Sequence, residues 1–268
     1  MPTAQLHDVR LHYDLHGDGP PVLFIMGLAV PGMGWRPQVE VLRDRFTCLT
    51  FDNRGVGDSE VTRGAYTTKQ MALDALGLMD TVGWRRAHVV GISMGGMIAQ
   101  ELALLAPGRV RTLTLLATHG GGRKLLPPLR TLKNFFDLQR SKDPERRLAL
   151  FNRLLFTPAF VDQHRERLRE GMAADLAFKP QPVQGFRGQF AACASHRTGK
   201  RLGQLRGIPT LVATGAVDQC VSPVNARLLG RWMPWARVVE IPGCAHGINV
   251  MAHAEVNRLL HELFEAHP

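Results

Sequence analysis

Between residues 87 and 107 the chain reads AHVVGISMGGMIAQELALLAP, and this stretch limits the possible folds more than any other. Ala87 to Ile92 is short, mostly apolar and rich in β-branched residues, as suits a strand buried on both faces. Met94 to Ala106 carries Met, Ile, Leu and Ala at helical spacing, and Pro107 with Gly108 ends it. Ser93 therefore falls in a strand-to-helix turn with no room for a loop. Backbone strain at such a point is tolerated mainly at functional sites. Gly91 and Gly95 fit this reading, because so tight a turn brings the flanking chain together and side chains there would clash. The turn lifts the Ser93 hydroxyl above the sheet edge. The helix N-terminus then points backbone N–H groups at developing negative charge.

Around this turn the chain alternates between two periods. Residues 4–16 read as a polar-faced hairpin, and PPVLFIMG as a buried strand after a Gly/Pro turn. RPQVEVLRDR predicts a short helix and FTCLTFD a further buried strand. YTTKQMALDALGLMDTVG has helical spacing, with Thr67 or Thr68 as its cap. Strand VRTLTLLAT follows the serine's helix, and a basic insertion then interrupts the pattern. PTLVATG, SPVNARLLGRWMP, RVVEIPG and MAHAEVNRLLHELFEA complete it as strand, helix, strand and helix. This order predicts an α/β fold, a mostly parallel sheet with helices on both faces. Ligands of such sheets sit beyond the C-terminal strand ends.

A serine hydroxyl needs a base to take its proton and an acid to orient that base. Of eleven histidines, His246 in IPGCAHGINV follows a predicted strand in a Gly-flanked loop and reaches the active edge. His253 and His261 fall in the last helix, His267 in the tail, and His7, His12 and His16 in the hairpin. His88 starts the strand before Ser93, at the wrong end of the sheet. His164 and His196 belong to the insertion, where they can reach a substrate but not readily the serine. His119 follows a strand but has no strand–helix unit after it. For the acid, Asp218 in LVATGAVDQCV follows a strand and precedes a helix. Asp52 in FDNRGVGDS also ends a strand, but it precedes the nucleophile and reads as a brace for its own Asn53-Arg54-Gly55 turn. Ser93, Asp218 and His246 thus occur in the order nucleophile, acid, base.

A chain of 268 residues with 45% hydrophobic and 21% charged residues can bury a sizeable core. No apolar run approaches the ~20 residues that cross a bilayer, so no stable membrane insertion is expected. The opening residues lack a charged start followed by an apolar stretch. Cys48, Cys193, Cys220 and Cys244 lie far apart with no CxxC pair and read as free thiols in a reducing cytoplasm. The net charge of +10 is concentrated, because residues 119–206 hold 18 Lys and Arg against 7 Asp and Glu. Those charges are scattered through THGGGRKLLPPLR and along patterns such as FVDQHRERLREGMAADL, which reads as a solvated helical surface. Few aromatics accompany them, so nucleic acid is not expected as a partner. Amphipathic spacing in LKNFFDLQR and RRLALFNRLLF offers Leu132, Phe135, Phe136, Leu148, Phe151, Leu154 and Leu155 as inward apolar stripes. No GxGxxG, P-loop, metal-ligand cluster or repeat stands out, and no cofactor or metal is expected.

On TFDNRGVGDS, GISMGG, GAVD and GCAHG, in that order, the chain resembles the serine-dependent α/β-hydrolases over nearly its full length. Its nucleophile turn is most similar to the branch of enol-lactonases, small-ester esterases and methylesterases. The resemblance implies a core of residues 1–118 and 207–268, with residues 119–206 as an inserted helical cap. It also implies an oxyanion hole made by the backbone N–H groups of Met94 and Leu28. The family often has His-Gly before the second donor, whereas this chain has Met26-Gly27-Leu28, which leaves Gly27 as the alternative. The implied activity is hydrolysis of a small ester or lactone through an acyl-enzyme, with Ser93, Asp218 and His246 catalytic. Cleavage of a C–C bond in a diketone, and a low-turnover binding or sensing protein on the same fold, are the alternatives. Ser93 itself excludes the dehalogenases and epoxide hydrolases of this fold, which use aspartate.

Overall fold

A computed structural model describes residues 2–121, 128–170 and 181–268. Eight strands form one sheet: β1 (Thr3–Gln5), β2 (Arg10–His16), β3 (Pro21–Ile25), β4 (Thr47–Phe51), β5 (Ala87–Ile92), β6 (Val110–Leu116), β7 (Thr210–Gly215) and β8 (Arg237–Ile241). Their order across the sheet is β1-β2-β4-β3-β5-β6-β7-β8. Strands β1 and β2 pair antiparallel, as does β2 with β4, and every other pairing is parallel. The central strands are apolar throughout because both faces are covered. Period-two alternation divides them. Leu23, Ile25, Val89 and Leu113 pack into one core cluster, whereas Val22, Phe24 and Val90 pack into the other.

Helices α2 (Thr68–Thr81), α3 (Met94–Leu105) and α9 (Val224–Trp232) cover the first face, with Met71, Leu78, Ile98, Leu102 and Leu229 fully buried. Helix α1 (Arg36–Leu42) and the last helix, α11 (His253–Glu265), cover the second through Val39, Leu42, Val256, Leu260 and Phe264. A single turn, α10 (Ile248–Met251), precedes α11. Thr67 is the cap of α2, its hydroxyl accepting from the Gln70 N–H at 3.1 Å. His88 sits at the N-terminal end of β5, away from Ser93. It is fully buried against Phe264, and burial pushes its pKa down to about 3. No helix among the described residues is long and apolar enough to cross a membrane. All four cysteines are free.

Between β6 and β7 lie α4 (Leu129–Arg140), α5 (Pro144–Leu155), α6 (Pro158–Gln163), α7 (Arg165–Leu168) and α8 (Val183–Ser195). Residues 122–127, in THGGGRKLLPPLR, and 171–176, in FVDQHRERLREGMAADL, lie outside the described residues. Helices α4 and α5 meet through Leu138, Leu150 and Leu154. Three sequence expectations need correction here. Phe136 is 47% exposed and packs beside Phe186 and Phe190 of α8, not inward. Leu148 faces a separate surface groove with Arg153 and Val161. His196 is turned away from any substrate: buried behind α3, its ring meets Thr68, Gln100 and Thr198, and its pKa is pushed down by burial to about 3. The outward placement of basic residues also has an exception. Arg147 is buried, and its guanidinium donates to the carbonyls of Leu138 and Ser141 near the end of α4.

Candidate active site

The turn after β5 has the strain its sequence implies. Ser93 adopts φ 54 and ψ −119, a backbone conformation that L-residues rarely take. Its N–H donates to the Leu116 carbonyl at 2.8 Å, and its own carbonyl accepts the Thr118 hydroxyl at 2.7 Å. These bonds hold the turn to β6. A Cβ at Gly91 would lie 2.2 Å from the Gly95 carbonyl oxygen, and one at Gly95 would lie 2.0 Å from that of Ile25. Neither position can carry a side chain without moving backbone.

Asp218 and His246 come together from the loops after β7 and β8. The Asp218 Oδ2 accepts from His246 Nδ1 at 2.7 Å, and both residues are buried. A carboxylate only accepts, so Nδ1 carries the hydrogen and Nε2 is the nitrogen available as a base. Asp218 Oδ1 is fixed in turn by the backbone N–H groups of Cys220 at 2.7 Å and Val221 at 2.9 Å. The carboxyl group is thus oriented by the start of the segment leading into α9.

Ser93 and His246 line one pocket. Phe135 and Leu138 of α4 and Phe151, Leu154 and Leu155 of α5 form its opposite wall. No Lys, Arg, Asp or Glu among the described residues lines it, although the insertion as a whole is strongly basic. Leu28 also borders the pocket, and the Met94 N–H opens α3 immediately after Ser93. Neither N–H has a hydrogen-bond acceptor among the described residues. Gly27 lies close to the serine, where a Cβ would approach that of Ser93 to 3.2 Å.

Asp52 does not join this group. It is buried, and its two oxygens accept from the Gly32 N–H at 2.8 Å and the Asp58 N–H at 2.9 Å. Burial raises its pKa. It braces the loops around it, as its position before Ser93 suggests. Among the described residues, two trios of possible metal ligands have donor atoms within 4.8 Å of one another: Asp218, Cys220 and His246, and His12, Asp52 and Asp58. In the first, Asp218 already accepts three N–H groups. Burial raises the Cys220 thiol, which donates to the Leu154 carbonyl. In the second, both Asp52 oxygens are taken by backbone N–H groups, and Oδ2 also lies 3.3 Å from His12 Nδ1.

Several residues around the pocket carry no signal of their role in the sequence. Leu138 lies outside the expected stripe. Asn249, three residues after His246, donates to the Gly34 carbonyl at 3.0 Å and so pins the histidine loop to the segment after β3. Asn53 donates to the Met26 carbonyl at 2.9 Å, and Gln189 reaches the neighbouring Ala29. Only contacts across the fold reveal these last two.

Residues 20–250 match the family described as alpha/beta hydrolase fold. A protein named as a carbamate hydrolase from Azorhizobium caulinodans is 30% identical over 264 residues, 97% of each chain. One named as a non-heme bromoperoxidase from Mycobacterium tuberculosis is 32% identical over 254 residues, 89% of this chain and 91% of its own. The crystal structure of the enol-lactonase from Burkholderia xenovorans LB400 is similar with a TM-score of 0.87 at 25% identity, covering 98% of this chain and all of the other.

Proposed function

Because the chain belongs to the α/β-hydrolase family, we propose that it is a serine hydrolase cleaving a small carboxylic ester or lactone through an acyl-enzyme. The observation that carries this reading is the Asp218–His246 bond at 2.7 Å, with His246 and a strained Ser93 lining one pocket. His246 Nε2 takes the Ser93 proton as Oγ attacks the substrate carbonyl. The N–H groups of Leu28 and Met94 receive the oxyanion. His246 then gives its proton to the departing alcohol, or to the ring oxygen of a lactone. Water, deprotonated by the same nitrogen, releases the acid and restores Ser93. Asp218 stabilises the imidazolium in both halves.

Residues 119–206 act in this reading as a cap over a core of residues 1–118 and 207–268. The apolar wall from α4 and α5 supports that role and favours uncharged acyl groups. Carbonyls of neighbouring classes, such as the carbamate in one relative's name, would enter the same chemistry. The test is a panel of p-nitrophenyl esters of rising acyl length, with lactones, a carbamate, a diketone and a carboxylate-bearing ester. Short neutral esters or lactones should turn over fastest at every salt concentration. A preference for the anionic ester that survives high salt overturns the apolar acyl site. Diketone cleavage without ester turnover replaces ester hydrolysis by C–C chemistry.

A further inference from the structure

We infer that Gln189, on α8 of the insertion, is a positioning residue for the oxyanion hole, so that only a seated cap presents the Leu28 N–H correctly. This rests on the hydrolase reading above. Gln189 is fully buried. Its Oε1 accepts from the Ala29 N–H at 3.0 Å, and its Nε2 donates to the Arg54 carbonyl at 2.9 Å. One end must accept and the other donate, a pairing that an amide satisfies and neither a carboxylate nor an apolar side chain can.

The peptides involved give this contact its meaning. Leu28 N–H belongs to the Gly27–Leu28 peptide. The peptide before it is held at its carbonyl by Asn53, whose Nδ2 donates to Met26 O at 2.9 Å. The peptide after it is held at its N–H by Gln189. Both neighbours of the donor peptide are therefore clamped, and the clamps are joined. Asn53 and Arg54 are consecutive, and Gln189 binds the Arg54 carbonyl. Arg54 itself is buried, with its guanidinium on both Asp74 oxygens at 2.6 and 2.7 Å. Ala29 needs such a clamp. It sits at φ 64, in the left-handed region that a residue with a Cβ disfavours, so an outside contact is needed to hold it there.

Helix α8 is built to come this close. A Cβ at Gly185 would lie 2.0 Å from the Gly55 carbonyl oxygen, and one at Gly188 would lie 2.6 Å from the Tyr66 ring. Gln181 adds a second amide contact, to the Gly55 carbonyl at 2.9 Å. If α8 lifts, Ala29 loses its acceptor and the peptide bearing the Leu28 N–H loses one of its two clamps. Oxyanion stabilisation is thereby tied to cap closure.

The test compares Gln189→Met, Gln189→Glu and Gly185→Ala with the wild-type enzyme on a neutral p-nitrophenyl ester, with Ser93→Ala as control. Losing one oxyanion donor costs about 10²–10³ in kcat, and a misplaced donor should cost about 10–10². Gln189→Met should therefore lower kcat by about that factor with KM nearly unchanged, and fluorophosphonate labelling of Ser93 should slow in parallel. Gln189→Glu keeps an acceptor for Ala29 but turns a carboxylate oxygen toward the Arg54 carbonyl, so it should lose kcat as Gln189→Met does. Gly185→Ala, which leaves Gln189 intact but blocks seating of α8, should reproduce the kcat loss. Unchanged kcat in folded Gln189→Met or Gly185→Ala, or a change confined to KM or to melting temperature, overturns the inference. Activity persisting in Ser93→Ala would instead overturn the hydrolase reading beneath it.

Discussion

The backbone N–H of Gly247, next to His246, donates to the carbonyl of Leu155 at 2.7 Å. One bond thus joins the end of α5 to the loop that carries the histidine. The same end of α5 also meets the acid's loop, where Cys220 Sγ donates to Leu154 O at 3.0 Å. With Gln189 on Ala29, the insertion is hydrogen-bonded to segments beside all three parts of the candidate site.

Gly247→Ala tests the first of these links. Its new Cβ would lie 2.6 Å from the buried Phe156 ring and 3.2 Å from the Leu155 carbonyl oxygen, so the histidine loop or the end of α5 must shift. A misplacement of about 1 Å can cost on the order of 10² in rate. The variant should therefore lose about 10–10² in kcat/KM while melting within a few degrees of wild type. Wild-type kinetics in the folded variant would show that the histidine loop does not depend on this contact.

Asp218 and Asp52 should respond differently to the same substitution. In the proposed mechanism Asp218→Asn removes the charge that orients and stabilises the imidazole, so kcat should fall about 10⁴-fold with the fold retained. Asp52→Asn replaces one of two buried acceptors with a donor, facing the N–H of Gly32 or Asp58. It should cost about 1–3 kcal/mol of stability and little activity. Paired kinetics and melting curves showing the opposite pattern would move the acid's role to Asp52.

Acid should weaken the fold well before the carboxylates titrate. Burial pushes His88 and His196 down to about 3 and His119 to about 4. In the unfolded chain a histidine binds its proton near pH 6.5. Between pH 6.5 and these lower values the unfolded state holds more protons, so stability rises with pH there and is fully present above 6.5. Lowering the pH from 7.5 to 5 should remove roughly 2 kcal/mol for each of His88 and His196. Asp52, raised by burial, shifts in the opposite sense lower in the range. Calorimetric melting temperatures should fall steadily from pH 7.5 to pH 5. A flat or rising profile would contradict neutral burial of these rings.

That Ser93 and His246 reach one pocket, with Asp218 bonded to His246, is legible in the sequence because each follows a strand with a strong period-two or all-apolar signature, and parallel strands deliver their C-terminal ends to one edge. Gly91 and Gly95 are legible because a serine between glycines at a strand–helix junction marks a turn too tight for side chains on either side. Gln189 is not, since a glutamine on an ordinary helix shows nothing of partners 160 and 135 positions away. His196 defies the sequence reading for a related reason. Thr68, Gln100 and Thr198 come from separate segments to satisfy its ring, and a polar residue in an insertion otherwise reads as surface. Helical periodicity locates the apolar faces of α4 and α5, but Phe136 and Leu148 lie at the margins of those faces and turn to other neighbours.

The acyl-enzyme of the proposed mechanism can be sought directly. The enzyme is mixed with a slight excess of p-nitrophenyl acetate, acid-quenched within the first turnover, digested and mapped by mass spectrometry. An acetyl group is expected on the peptide containing Ser93, near one equivalent when deacylation is slow, and none on the same peptide of Ser93→Ala. Turnover of the ester with Ser93 unmodified at every quench time, or with the acetyl group on another residue of an active enzyme, would contradict an acyl-enzyme at Ser93.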